Sequence, residues 1–97
     1  MLRHIVMIKF TERNTVETTA LQLKAMLMDL TITINSLIKM EVGLNVNTKA
    51  SAYDLVLTAD FENEEGLDAY RIHPEHIKVL DFLKTNMEKA TVVDYCV

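Results

Sequence analysis

The sequence predicts an α+β fold in which a four-stranded antiparallel sheet carries its helices on one face. Three observations predict it. Three segments alternate apolar and polar residues with the period of a strand, and a fourth, β-branched and apolar, closes the chain. Two longer segments between them repeat apolar residues at helical spacing. Their order, β-α-β-β-α-β, allows short crossovers that gather all four strands into one sheet. The 97 residues hold a single domain, residues 1–97, with no linker, repeat or low-complexity stretch.

Residues 2–10 open the chain as a strand. Leu2, His4, Val6, Ile8 and Phe10 share one face, and Arg3, Ile5, Met7 and Lys9 the other. Asn14 followed by Glu17 resembles a capping box and predicts a helix start. Val16, Ala20, Leu23, Leu27 and Leu30 then form its buried stripe, with Met26 and Met28 beside it. The helix is expected to end near residues 31–35, TITIN, where β-branched residues lower helical propensity.

Residues 39–46 read as the second strand, with Met40, Val42, Leu44 and Val46 inward. After the polar loop 47–51, residues 53–61 read as the third strand, with Tyr53, Leu55, Leu57, Ala59 and Phe61 inward. Asn63 suits the cap of a short helix whose acidic start complements the helix dipole. Pro74 fits the first position of a further helix running to about Met87. Ile77, Leu80, Phe82, Leu83 and Met87 are expected on its buried side. TVVDYCV closes the chain as the fourth strand. The sum is a ferredoxin-like layer of one sheet with the helices on one side.

Composition narrows function. The formal charge is −4 and basic residues are scattered, which argues against general binding to nucleic acid or anionic lipid. Arg3, His4 and Lys9 interrupt any signal-peptide stretch, and no apolar run reaches the ~20 residues of a membrane span. One cysteine, Cys96, forms no internal disulfide. A soluble, cytoplasmic protein of a reducing compartment is expected.

The second face of the sheet carries its own apolar centre. Ile5, Met7, Val56, Thr58, Val93, Tyr95 and Val97 fall on it, with Arg3, Lys9, Asp54 and Asp60 at the ends of the rows. A chain this short buries only ~60–65% of the surface its unfolded form exposes. An apolar patch with a charged rim on so small a domain predicts a two-fold homodimer packed sheet against sheet.

The stretch AYRIHPEHIKVL holds the candidate chemistry. With Pro74 first in its helix, His73 is the cap residue and His76 lies one turn on, on the same side. The helix start disfavours a charged imidazole, so a neutral His76 can accept a proton or a hydrogen bond from Tyr70. His4 joins them if the first strand's even positions face the helices, with Leu55, Leu57 and Val92 nearby. The plainer alternative stands beside this: His73 as a cap, Tyr70 as packing, His4 as a satisfied core histidine. Two histidines three apart lack the further ligands a metal needs. No nucleophile elbow, phosphate-cradling glycine loop or cofactor fingerprint is present, so no cofactor is expected.

HIVMIKF, DAYRIHPEHIKVL and VVDY together, in this order and spacing, resemble the stress-responsive α/β-barrel domain family, Dabb, over essentially the whole chain. The resemblance implies a ferredoxin-like fold and a dimer whose two sheets form a barrel. A plant polyketide-cyclase branch of that family uses a tyrosine and a histidine to steer an aldol condensation without a cofactor. By motif position Tyr70 and His76 match that pair, and His4 and His73 match pocket histidines. The chain departs from that branch at Leu55, where a further pocket histidine would stand. Leu21, Leu23 and Met26 also occupy the region where the branch presents two aromatic residues. Two functions follow as expectations: a homodimeric binder of small apolar or carbonyl-containing ligands, and a cofactor-independent cyclase or lyase. A cofactor-free oxygenase is a third, by fold analogy alone.

Overall fold

The structure, a computed structural model, describes residues 1–97. Its elements are β1 (Leu2–Phe10), α1 (Val16–Thr33), β2 (Lys39–Leu44), β3 (Leu55–Phe61), α2 (Glu64–Ile72), α3 (Pro74–Asn86) and β4 (Met87–Cys96). The sheet order is β2-β3-β1-β4, and every neighbouring pair is antiparallel. The four-stranded ferredoxin-like layer is as expected, with its second helical segment divided into α2 and α3.

Register decides which side chains meet on each face. On the helix side His4 pairs with Ala59 and Asp94, Val6 with Leu57 and Val92, and Ile8 with Leu55 and Ala90. The core lies on this side, and Leu23, Ala59, Phe61, Ile8 and Phe10 are among its most enclosed residues. The opposite face brings Ile5 against Thr58 and Val93, and Met7 against Val56 and Thr91. There Val93 is 58% and Tyr95 42% exposed.

Charged residues at the ends of the outer rows are fixed by partners. Arg3 Nε donates to Asp60 Oδ1 at 2.8 Å, and Asp60 itself is buried. Arg13 grips Asp54 with both terminal nitrogens at 2.9 and 2.8 Å, and the Phe10 backbone N–H donates to the same carboxylate at 2.8 Å. These hydrogen bonds hold both carboxyls below the usual aspartate range, chiefly through their arginine partners.

Several sequence expectations need correction. The first residue before α1 is Thr15, its side chain caps nothing, and Asn14 lies outside the helix. Met28 is exposed, because it falls on the solvent side of the α1 stripe. β2 stops at Leu44, which leaves Val46 in the loop at 95% exposure. β3 begins only at Leu55, and Tyr53 sits half-buried with Lys89 Nζ 5.5 Å from its ring centroid. β4 begins at Met87, four residues earlier than expected, and its first half pairs with the C-terminal end of β1.

The helix α3 buries Val79 and partly Phe82 and Leu83, whereas Ile77 and Leu80 are exposed. His76, Val79, Leu80 and Leu83 form the stripe that turns toward the sheet, where Leu80 borders an open hollow, and Ile77 lies about 100° round from His76.

Candidate ligand-binding and acid–base site

Between the sheet and helices lies a cavity of about 410 Å³, of the size that small-molecule sites occupy. Its floor comes from the sheet, as Val6, Ile8, Leu57 and Val92. Leu23 and Leu27 of α1 and Val79, Leu80 and Leu83 of α3 form the walls. Ten of its thirteen lining residues are hydrophobic, Tyr70 among them, so orientation falls to the Tyr70 hydroxyl and to His4, Arg71 and His76.

Local folding places Tyr70 and His76 side by side. Asn63 Oδ1 caps α2 by accepting from the Gly66 N–H at 3.0 Å, and Tyr70 lies two residues before the helix ends. The chain then turns at His73, whose extended backbone ends α2 and starts α3. His73 Nδ1 accepts from the Glu75 N–H at 3.1 Å, and Pro74 follows as the first helical residue. This turn folds α3 back so that the Tyr70 and His76 ring centroids stand 4.2 Å apart at 41°. Phe61 supports Tyr70 from below, edge-on at 5.0 Å.

The electrostatics give the two groups opposite tasks. Burial pushes the Tyr70 phenol well above its ordinary value, with no hydrogen bond or charge to offset it. Tyr70 is therefore a proton-bearing group, a hydrogen-bond donor. Burial lowers His76 below its ordinary value, and His4, Arg71 and His73 add repulsion to any charge on it. The Arg71 carbonyl lies 3.1 Å from His76 Nδ1, and since a carbonyl only accepts, Nδ1 carries the proton. Nε2 of the neutral ring is left as the acceptor.

His4 joins from the sheet, its ring 6.5 Å from that of Tyr70. Its Nδ1–H is held by the Asp94 carboxylate, directly opposite in the β1–β4 register. Asp94 also receives Arg71 Nη2 at 3.4 Å. His4, Leu57 and Val92 thus line the cavity with Tyr70 and His76. His73 and Leu55 do not. His73 turns to its own helix as a cap, and Leu55 is buried one strand pair further along, beside a separate hollow on the outer face near Tyr53 and Met7.

Sequence reading missed Arg71, Asp94, Leu23, Leu27, Val79 and Leu83 as contributors to this site. For Asp94 a signal was available: antiparallel pairing of VVDY with HIVM sets it opposite His4. Arg71 carried none, because its role depends on the turn at His73. No group of three or more histidine, cysteine, aspartate or glutamate side chains is arranged to hold a metal ion.

The sequence profile of the Stress responsive A/B Barrel Domain, Dabb, matches residues 2–97. The chain belongs to the Dabb family. No curated protein matches it significantly. Solved structures do. A dimeric protein of unknown function and ferredoxin-like fold from Bacteroides fragilis is 27% identical, with TM-score 0.89 over 99% of this chain and 95% of that one. A Dabb family protein from Mesorhizobium loti is 18% identical, with TM-score 0.80 over 99% and 95%. A hydroxynitrile lyase from Passiflora edulis shares the fold at 15% identity, with TM-score 0.84 over 99% and 92%. No helix of this Dabb domain is long and apolar enough to cross a membrane.

Proposed function

We propose that this Dabb domain is a homodimeric small-molecule-binding protein, with one helix-side cavity in each subunit. The observation that carries the reading is the cavity itself: apolar walls closing on a phenol donor and an imidazole acceptor. A ligand with an apolar body and a carbonyl oxygen suits those groups. The oxygen accepts from the Tyr70 hydroxyl, and the body displaces water from Leu23, Leu57, Val79 and Leu83. Calorimetric titration with acetophenone tests this. His76→Ala, folded by circular dichroism, is expected to weaken binding about tenfold, ~1.4 kcal/mol. Lowered stability with retained affinity would make His76 a structural residue.

The dimer is proposed from the outer face. Met7, Val56, Val93 and Tyr95 are exposed large side chains on one surface, with the Arg3–Asp60 pair at its end. The relative from Bacteroides fragilis is described as dimeric, which supports the same assembly here. A two-fold interface would cover this patch with its own copy.

A second reading is favoured by the divided proton roles: a cofactor-independent lyase or cyclase. His76 Nε2 would take a proton from carbon beside a carbonyl, and the C–H electron pair would move into the enolate. Tyr70 would donate its hydrogen bond to the oxygen where charge develops. The hydroxynitrile lyase shows that this fold hosts lyase chemistry. Deuterium exchange into the methyl group of acetophenone, absent in His76→Ala, is the outcome this second reading requires.

A further inference from the structure

Arg71 is the one formally charged side chain among the lining residues of the cavity, yet its charge is committed elsewhere. Nη1 donates to Asp68 at 3.1 Å and Nη2 to Asp94 at 3.4 Å. Neither carboxylate lines the cavity. Both face an adjoining hollow bounded by Leu2, Glu64, Leu67 and Tyr95. The arginine thus forms part of the partition between the two spaces, with its guanidinium turned to the acidic side.

What remains inside is an apolar chamber with a protonated phenol, the neutral imidazole of His76 and the ring of His4, whose Nδ1 is taken up by Asp94. A carboxylate entering it would shed its hydration without meeting the guanidinium, a costly transfer. Two carboxylates to one guanidinium also leave the partition with net negative charge, which repels an anion at close range. An uncharged carbonyl compound meets neither obstacle.

We propose that Asp68 and Asp94 set the ligand class of this site by holding the Arg71 guanidinium out of the cavity, so that it takes uncharged carbonyl compounds and rejects their carboxylate analogues. The inference rests on the binding function proposed above and adds to it the residues that determine specificity. Asp94 has a double hold, since it also fixes His4 through Nδ1. Asp68 is the more separable member: its side chain is largely exposed and bonds only Arg71.

Acetophenone and benzoate, matched in shape and differing in charge, are the probes, titrated near neutral pH into the full chain. The parent is expected to bind acetophenone at least about tenfold more tightly than benzoate. The double variant Asp68→Asn, Asp94→Asn frees the guanidinium, and its benzoate affinity is expected to rise about fivefold or more relative to its acetophenone affinity. Asp68→Asn alone, at an exposed position that does not threaten folding, is expected to move benzoate in the same direction. Benzoate binding as tight as acetophenone in the parent overturns the inference and leaves the cavity reading standing. So does a benzoate affinity unmoved in both variants. Absence of binding by either probe overturns both.

Discussion

Tyr70 is 1% exposed, and its hydroxyl is desolvated without a compensating charge or hydrogen bond. The hydroxyl borders the cavity and has no protein partner, so it adds little to the stability of the fold. Tyr70→Phe keeps the ring against Phe61 and His76 and removes only that oxygen. The variant is expected to match or exceed the parent in stability by up to ~1 kcal/mol in urea unfolding, while acetophenone affinity falls several-fold. Opposite signs on the two measurements mark a residue retained for binding rather than packing. His76 adds a pH dependence. Its folded value lies below the ordinary 6.5, so the neutral ring persists in the native state after an unfolded histidine would have charged. Its contribution to stability is therefore full above that ordinary value and declines as pH falls through the lowered one. Acetophenone binding is expected to hold down to the ordinary histidine range and to weaken only below it, followed by the same titration across pH.

At the scale of elements, the turn at His73 decides whether a site exists. It ends α2, starts α3 and sets the rotation that brings His76 beneath Tyr70. His73→Ala removes the cap to the Glu75 N–H and is expected to cost ~1 kcal/mol of stability. Because Pro74 still starts the helix, the site is expected to survive and acetophenone to bind with less than threefold loss. The strand layout was legible in the sequence because alternation carries both the strands and their faces: Leu2, Val6, Ile8 and Phe10 on one side, Ile5 and Met7 on the other. Element ends were less so. Tyr53 and Val46 continue the apolar alternation of their strands, but pairing stops at Leu55 and Leu44. Nothing local to either residue marks that limit. The rotation of α3 was equally hidden, since Ile77 is as apolar as Val79 and Leu83. Of the site, Tyr70, His76, His4, Leu57 and Val92 could be read from motif spacing and face. Arg71 and Asp94 depend on contacts between α2 and β4, 23 residues apart in sequence.

For the whole molecule, one sheet serves two surfaces. Its helix side encloses the core and cavity, and its outer side exposes an apolar centre. Met7→Asp places a charge in that centre without touching the core and is expected to turn a dimeric parent into a monomer by sedimentation. A parent that sediments as a monomer at micromolar concentration removes the dimer from the account and leaves the cavity in place. The buried aspartates set the acid limit. Asp54 and Asp60 have lowered values, so their stabilisation is full above ordinary aspartate values near pH 4 and is lost as pH falls through the lowered ones. Asp54→Ala strands the Phe10 N–H as well as Arg13 and is expected to cost ~1–3 kcal/mol in chemical unfolding near neutral pH.

The most direct test of a helix-side cavity is a methyl-resolved NMR titration of the isotope-labelled chain with acetophenone. The account predicts saturable shifts at Leu23, Leu27, Leu57, Val79 and Leu83, with Met7 and Val93 on the outer face unmoved. Shifts concentrated on Met7, Val56 and Val93, with the helix-side methyls silent, would contradict it.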